Sequence, residues 1–331
     1  ISFLRSFRNS PELFLLEKTI KKGYLIGDIK LEFDSNGNVK NNYEINGFLR
    51  DTRLSILKKY KLQKLDLIFN YKKENLLLSD ISFTLNDLKF LSENISLKKD
   101  KDDFSVSGEI QHKELVLNEK NLNLFVKPFF SDIDFEKLRF SSKNRFSFKT
   151  NKKFEFSNFT LESDTLIDEL SVINKFKLKN FFPNIKENYY FSDHKLSIKY
   201  LKNKIYIDGK GNILIQDNKD TLTYSISKKN DILDFKTSLK INDNPLNIES
   251  LNYKKENVLI QLEGSKNKKN EIKIKDFFIN EKENKIRAQN IKLNKNLEIV
   301  KLGTVSLKYT DQENQKNQIK FYPMKNKYIL K

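Results

Sequence analysis

Between Lys204 and Leu262 the chain changes character at every second residue. Ile205, Ile207, Gly209, Gly211, Ile213 and Ile215 share one parity, while Tyr206, Asp208, Lys210, Asn212 and Gln216 fill most of the other. Leu222, Tyr224 and Ile226 then alternate with Thr221, Thr223, Ser225 and Ser227, and Leu233, Phe235, Leu239 and Ile241 with Asp234, Lys236, Ser238 and Lys240. Ile260 and Leu262 continue the apolar parity. A period of two belongs to strands with one dry and one wet face, because successive side chains of a pleated strand point to opposite sides. The polar joints 217–220 and 228–231 are short enough to be hairpins. This pattern predicts an antiparallel meander, and it recurs along most of the chain.

The expected fold class is therefore mainly β: an elongated, twisted antiparallel meander forming an open groove, with a short N-terminal helix and a helical break near the middle. The helix is expected over 1–22, with Ser10 as N-cap, Pro11 at the first helical position and Leu13, Phe14, Leu16 and Ile20 as its apolar stripe. The N-terminal part of the groove spans 23–165, with a hairpin turn at Asp34-Ser35-Asn36-Gly37. Residues 51–62 read as a helical turn or an irregular strand, and 118–130 as room for a short helix before Pro128. Leu166, Ile167, Leu170, Ile173 and Phe176 fit helical spacing better than alternation, so 166–187 is the expected helical break. The C-terminal part of the groove takes 188–331. The Phe-rich stretch from Phe135 to Phe159 reads first as core.

Few chemistries survive the residue inventory. The absence of cysteine removes disulfides, thiolate metal sites and cysteine nucleophiles. His112 and His194 are the only histidines and read as surface residues, one at a strand end and one in a turn. The Gly209-x-Gly211 pair lies inside an alternating strand with no helix after it, so it is not a dinucleotide fingerprint but a bulge or a close packing contact. No enzyme, metal or cofactor is expected. A net charge of +18 raises nucleic acid as a partner. Against that, there are only seven arginines, and the lysines read as spread through the wet faces of the strands. No nucleic acid is expected.

Two features resemble a known family. One is the N-terminal unit Pro11-Glu12-Leu13-Phe14, Glu17-Lys18-Thr19-Ile20 and Lys22-Gly23, followed by a hairpin ending Ile45-Asn46-Gly47. The other is the succession of one-sided strands of the form Ile-x-Gly-x-Gly or Leu-x-Ile-x-x-Tyr. Together they resemble the AsmA-like proteins of the Gram-negative envelope, in particular the YhdP branch, with TamB more distant. The resemblance implies a periplasmic segment of an inner-membrane-anchored protein whose anchor lies outside this segment. The chain opens on Ile1 rather than Met, in keeping with an internal piece. It also implies transfer of phospholipid between inner and outer membranes along an apolar groove, with acyl chains and components of both membranes as partners.

On that reading the groove is lined by Ile205, Ile207, Ile213, Ile215, Leu222, Tyr224, Ile226, Leu233, Phe235, Ile260 and Leu262. The alternative is a structural β-repeat envelope protein with a sealed core and no transport role. An outer-membrane barrel is disfavoured by the lysine- and glutamate-rich polar parity and by the absence of Trp for its aromatic girdles.

Overall fold

A computed structural model of the chain describes residues 20–40, 42–57, 60–100, 103–127, 133–151, 155–174, 178–296, 298–324 and 327–330. The protein is mainly β, and the described strands form an antiparallel meander of 19 strands that is not closed into a barrel. The expected helix over 1–22 lies outside the described residues as far as 19, and Ile20–Lys22 begin the first strand. The chain separates into two compact units, 1–115 with 141–163 and 116–140 with 164–331.

The first unit runs through β1 (Ile20–Lys30), β2 (Glu44–Leu57), β3 (Tyr60–Lys72), β4 (Asn75–Leu85), β5 (Leu88–Asp100) and most of β6 (Asp103–Leu117). The turn after β1 forms as expected, with Gly37 at φ +78 and Asp34 Oδ1 accepting from the amides of Asn36 and Asn38. Residues 51–57, left open between helix and strand, belong to β2. Their irregularity is a bulge at Asp51, which takes φ +47 and breaks the pairing with β3 between Leu49 and Thr52.

Neighbouring strands bulge too: Lys64 in β3, Asp80 in β4 and Glu114 in β6 all have positive φ. An inserted residue bends its strand and re-aims the side chains after it. Here the residue after each bulge is buried: Thr52, Leu65, Ile81 and Leu115. Leu65, Leu67 and Ile81 form the core of this unit, with Leu49, Phe69, Leu78 and Ile95 packed on them.

β7 (Phe135–Asn151) and β8 (Phe156–Ile173) have residues in both units. The helical break is not where its periodicity placed it, because residues 166–173 are the end of β8. Apolar residues on both parities of one strand imitate a helix: Ile167 is half-buried on the parity of the buried Ser163 and Ser171, while Leu166 on the other parity is exposed. Cross-strand partners on β7 hold the segment extended, as in Lys137–Glu169 at 2.9 Å and Ser171 Oγ donating to Glu136 at 2.9 Å. The helical element lies earlier, as α1 (Glu119–Asn121) and a π turn (Leu122–Val126), inside the stretch read as room for a short helix. Asn118 caps it by accepting from the Asn121 amide at 3.0 Å. In the Phe-rich stretch Phe146 and Phe148 are half-buried and stacked, but Phe156 and Phe159 are exposed and leave the core reading.

The second unit continues with β9 (Asn188–Leu201), β10 (Lys204–Leu214), β11 (Lys219–Lys229) and β12 (Ile232–Lys240). A small hairpin comes next, β13 (Leu246–Ile248) and β14 (Tyr253–Lys255), joined by a 3-10 turn at Glu249–Leu251. The meander resumes with β15 (Leu259–Lys266), β16 (Ile272–Glu281), β17 (Asn284–Leu293), β18 (Ile299–Lys301), β19 (Val305–Thr310), β20 (Lys316–Met324) and β21 (Lys327–Leu330). β12 pairs directly with β15, so the hairpin is an excursion from the sheet. It packs with Phe182 over one margin of the sheet, where Ile241, Leu246, Tyr253 and Val258 are fully or almost fully buried.

Candidate functional site

The registers of the second unit decide which side chains share a face, because directly opposed residues of an antiparallel pair point the same way. Ile198, Ile207, Ile226 and Phe235 form one cross-strand row. The next holds Gly209, Tyr224, Thr237, Leu262, Phe277 and Ala288. A third holds Leu222, Leu239, Ile260, Ile279, Ile286 and Leu307. The parity read in the sequence thus becomes one apolar face crossing β9 to β19. Outside the first of these rows lies a mixed one, in which Ile205 opposes Lys228 and Leu233 opposes Lys266.

The expected lining separates into two groups. Ile205, Ile207, Leu222, Tyr224, Ile226, Leu233, Phe235 and Leu262 stand on this face, each half-buried. Ile213 and Ile215 are buried, and Ile215 lies past the end of β10, where its carbonyl accepts from the Lys186 amide at 2.9 Å. Ile260 packs with Leu239, Phe277 and Leu307 against the core beneath the β13–β14 hairpin. The apolar face is therefore covered by protein along its third row and half-exposed along its first two.

The other face is polar and paired across strands. Arg287 meets Asp276 with two parallel bonds, Nε to Oδ1 at 2.7 Å and Nη2 to Oδ2 at 3.0 Å. Lys275 Nζ bonds Glu263 at 2.6 Å. The hydrogen bond and charge of Arg287 hold the Asp276 carboxyl below its usual range, and Lys275 does the same for Glu263.

Both histidines overturn their surface reading. His112 lies inside β6 and His194 inside β9, and each is buried. His112 Nε2 is 2.8 Å from Ser142 Oγ, and its ring meets Phe90 edge-on. Asp193, at φ +51, is the bulge that turns His194 inward. The His194 ring stacks on Tyr224, with Nε2 3.2 Å from the phenol oxygen, and meets Phe191 edge-on.

The Gly209-x-Gly211 pair is the seat for these rings, as the close-packing reading required. A side-chain carbon at Gly209 would fall 2.3 Å from the Tyr224 ring, and one at Gly211 2.4 Å from His194 Cα and Nδ1. The device recurs where Gly264 opposes Phe235 and Gly47 opposes Phe69. Burial depresses the pKa of both histidines and pushes Tyr224 up to about 12. Two neutral rings stacked at 5.5 Å make a packing unit rather than a proton relay.

Among the described residues no three His, Cys, Asp or Glu side chains group to hold a metal, and no helix is long and apolar enough to cross a membrane. The site left by this inventory is the half-exposed part of the apolar face. Comparison of the chain with protein-family models, curated proteins and solved structures finds no match.

Proposed function

We propose that the chain is a segment of a lipid-transfer protein that carries phospholipid by its acyl chains, as the resemblance to AsmA-like envelope proteins implies. Its place is then the periplasm, between inner and outer membranes. The observation that supports this is the run of half-buried apolar side chains from Ile207 through Ile226 to Phe235, and from Tyr224 to Leu262, backed by a charged opposite face. Each methylene moved from water onto such a surface gains ~0.8 kcal/mol, so an acyl chain is retained without any specific polar contact. A surface that grips by hydrocarbon alone also lets its cargo slide, because each step exchanges one apolar contact for another.

Photoreactive side chains test the reading. Placed at Ile207 or Phe235 they are expected to label phospholipid in cells and during purification, whereas at Asn212 or Lys236, on the polar parity, they are not. Equal labelling at all four positions, or none at Ile207 and Phe235, overturns it. The second reading, a sealed structural sheet, is favoured by the β13–β14 hairpin over Ile260. It predicts no lipid label at any of these positions and no co-purifying lipid.

A further inference from the structure

In a meander, alternate connections fall on the same border of the sheet, and from β9 to β20 one border is strongly basic while the other is near charge balance. The connections 201–204, 228–232, 265–272 and 292–304 share one border. They hold ten lysines against three carboxylates, Asp231, Glu271 and Glu298. Asp231 pairs with Lys268 at 3.2 Å, while Glu271 and Glu298 accept from the side-chain amides of Asn267 and Asn294. The connections 174–187, 215–220, 241–258, 281–284 and 311–315 share the other border, with ten carboxylates against eight lysines.

Apolar exposure divides the same way. On the basic border Leu201 is 50% exposed, Ile232 54%, Ile299 63% and Val300 68%. On the other border Phe181, at 44%, is the exposed large apolar side chain among the described residues of the connections.

We infer that the basic border of the second unit docks on an anionic phospholipid bilayer. Lysine stems reach past apolar neighbours to place ammonium groups among lipid phosphates, and aliphatic tips between them enter the headgroup boundary. Each lysine near an anionic surface contributes attraction that adds over the border and fades within a Debye length. A polyanion without hydrocarbon, such as nucleic acid, uses the lysines but gives Ile232, Ile299 and Val300 nothing to enter. A bilayer uses both. The other border, near charge balance and with most of its apolar residues tucked beneath the β13–β14 hairpin, faces away from the membrane.

The test is co-sedimentation of the full chain with vesicles of phosphatidylcholine alone and of equal parts phosphatidylcholine and phosphatidylglycerol. Binding is expected only to the mixed vesicles at low salt, falling steeply as salt rises. Lys268→Glu with Lys269→Glu is expected to weaken it on the order of 100-fold. Lys254→Glu with Lys255→Glu, the same charge change on the opposite border, leaves it within about threefold. Ile232→Ser with Val300→Ser is expected to weaken vesicle binding about tenfold while leaving binding to duplex DNA unchanged. Thermal unfolding of each variant separates lost binding from lost fold.

Equal loss from both lysine pairs, equal binding to neutral vesicles, or duplex DNA binding as tight as vesicles with no effect of the apolar tips would overturn the inference. The proposed lipid-carrying face is a separate matter. A chain that takes lipid at Ile207 and Phe235 but ignores vesicles overturns the docking alone.

Discussion

At the scale of single residues, the most constrained positions are those where a ring lies across a glycine. Gly211 has no room for a methyl group, since the nearest obstacle is the backbone of His194 as well as its ring. Gly211→Ala is therefore expected to destabilise the second unit by about 1–3 kcal/mol, read as a lowered urea midpoint with an unchanged slope. The buried rings also set a pH dependence. His194 and His112 are held below the ordinary histidine pKa in the folded state, so the unfolded chain binds more protons as pH falls. Their contribution is intact above the unfolded value of about 6.5 and is lost as pH drops below it toward the folded pKa, by at most about 1.4 kcal/mol per pH unit for each ring. Urea midpoints at pH 7.5 and pH 5 should show this fall, and His194→Gln should remove its share. A stability that is flat or rises on acidification contradicts the burial of both rings. Both histidines continue the apolar parity of their strands, His112 that of Phe104 to Ile110 and His194 that of Leu196 and Ile198. What the sequence hid is that both strands run on through bulges, the one at Asp193 bringing His194 to the face of Phe191.

At the scale of elements, strands with strict alternation were legible and those without it were not. β10 to β12 follow the written parity residue by residue, since one apolar face per strand admits a single register. β8 misleads because its buried parity is partly polar, with Ser163 and Ser171 inside and Leu166 outside. The β13–β14 hairpin has no periodicity to announce it, as three-residue strands are too short to show one. Its anchor is Tyr253, fully buried against Tyr309, with a hydroxyl that finds no partner among the described residues. Burial, with the Glu281 charge second, pushes the pKa of that hydroxyl well up. Tyr253→Phe deletes an unpaired polar atom at nearly constant volume, and should leave stability unchanged or raise it by about 1 kcal/mol. Tyr253→Ala should cost about 3–5 kcal/mol and open the third apolar row to a fluorescent dye. The same loss from both substitutions would mean that the hydroxyl, not the ring, holds the hairpin down.

At the scale of the whole molecule, a meander that does not close leaves strand edges, and the two ends manage them differently. The turn lysines divide almost evenly once alternate turns are assigned to borders, and it is the carboxylates that are segregated, a second parity that residue-level periodicity does not carry. β20 carries Pro323, and β21 beyond it has only four residues, both of which blunt an edge. β1 is eleven residues long, lacks proline, and pairs only with β2 among the described residues. It is exposed on both parities, with Tyr24 and Ile26 on one and Leu25 and Ile29 on the other. Such an edge offers unpaired backbone groups and apolar side chains to any further strand, including the β1 of another copy. Sedimentation should therefore show concentration-dependent self-association that weakens when Ile26 is changed to Lys, because a charge on the edge makes a paired strand bury it or repel its twin. Ile299→Lys adds the same charge at an exposed position in β18 and should leave the association as it is. If both substitutions act alike, net charge rather than the β1 edge controls assembly.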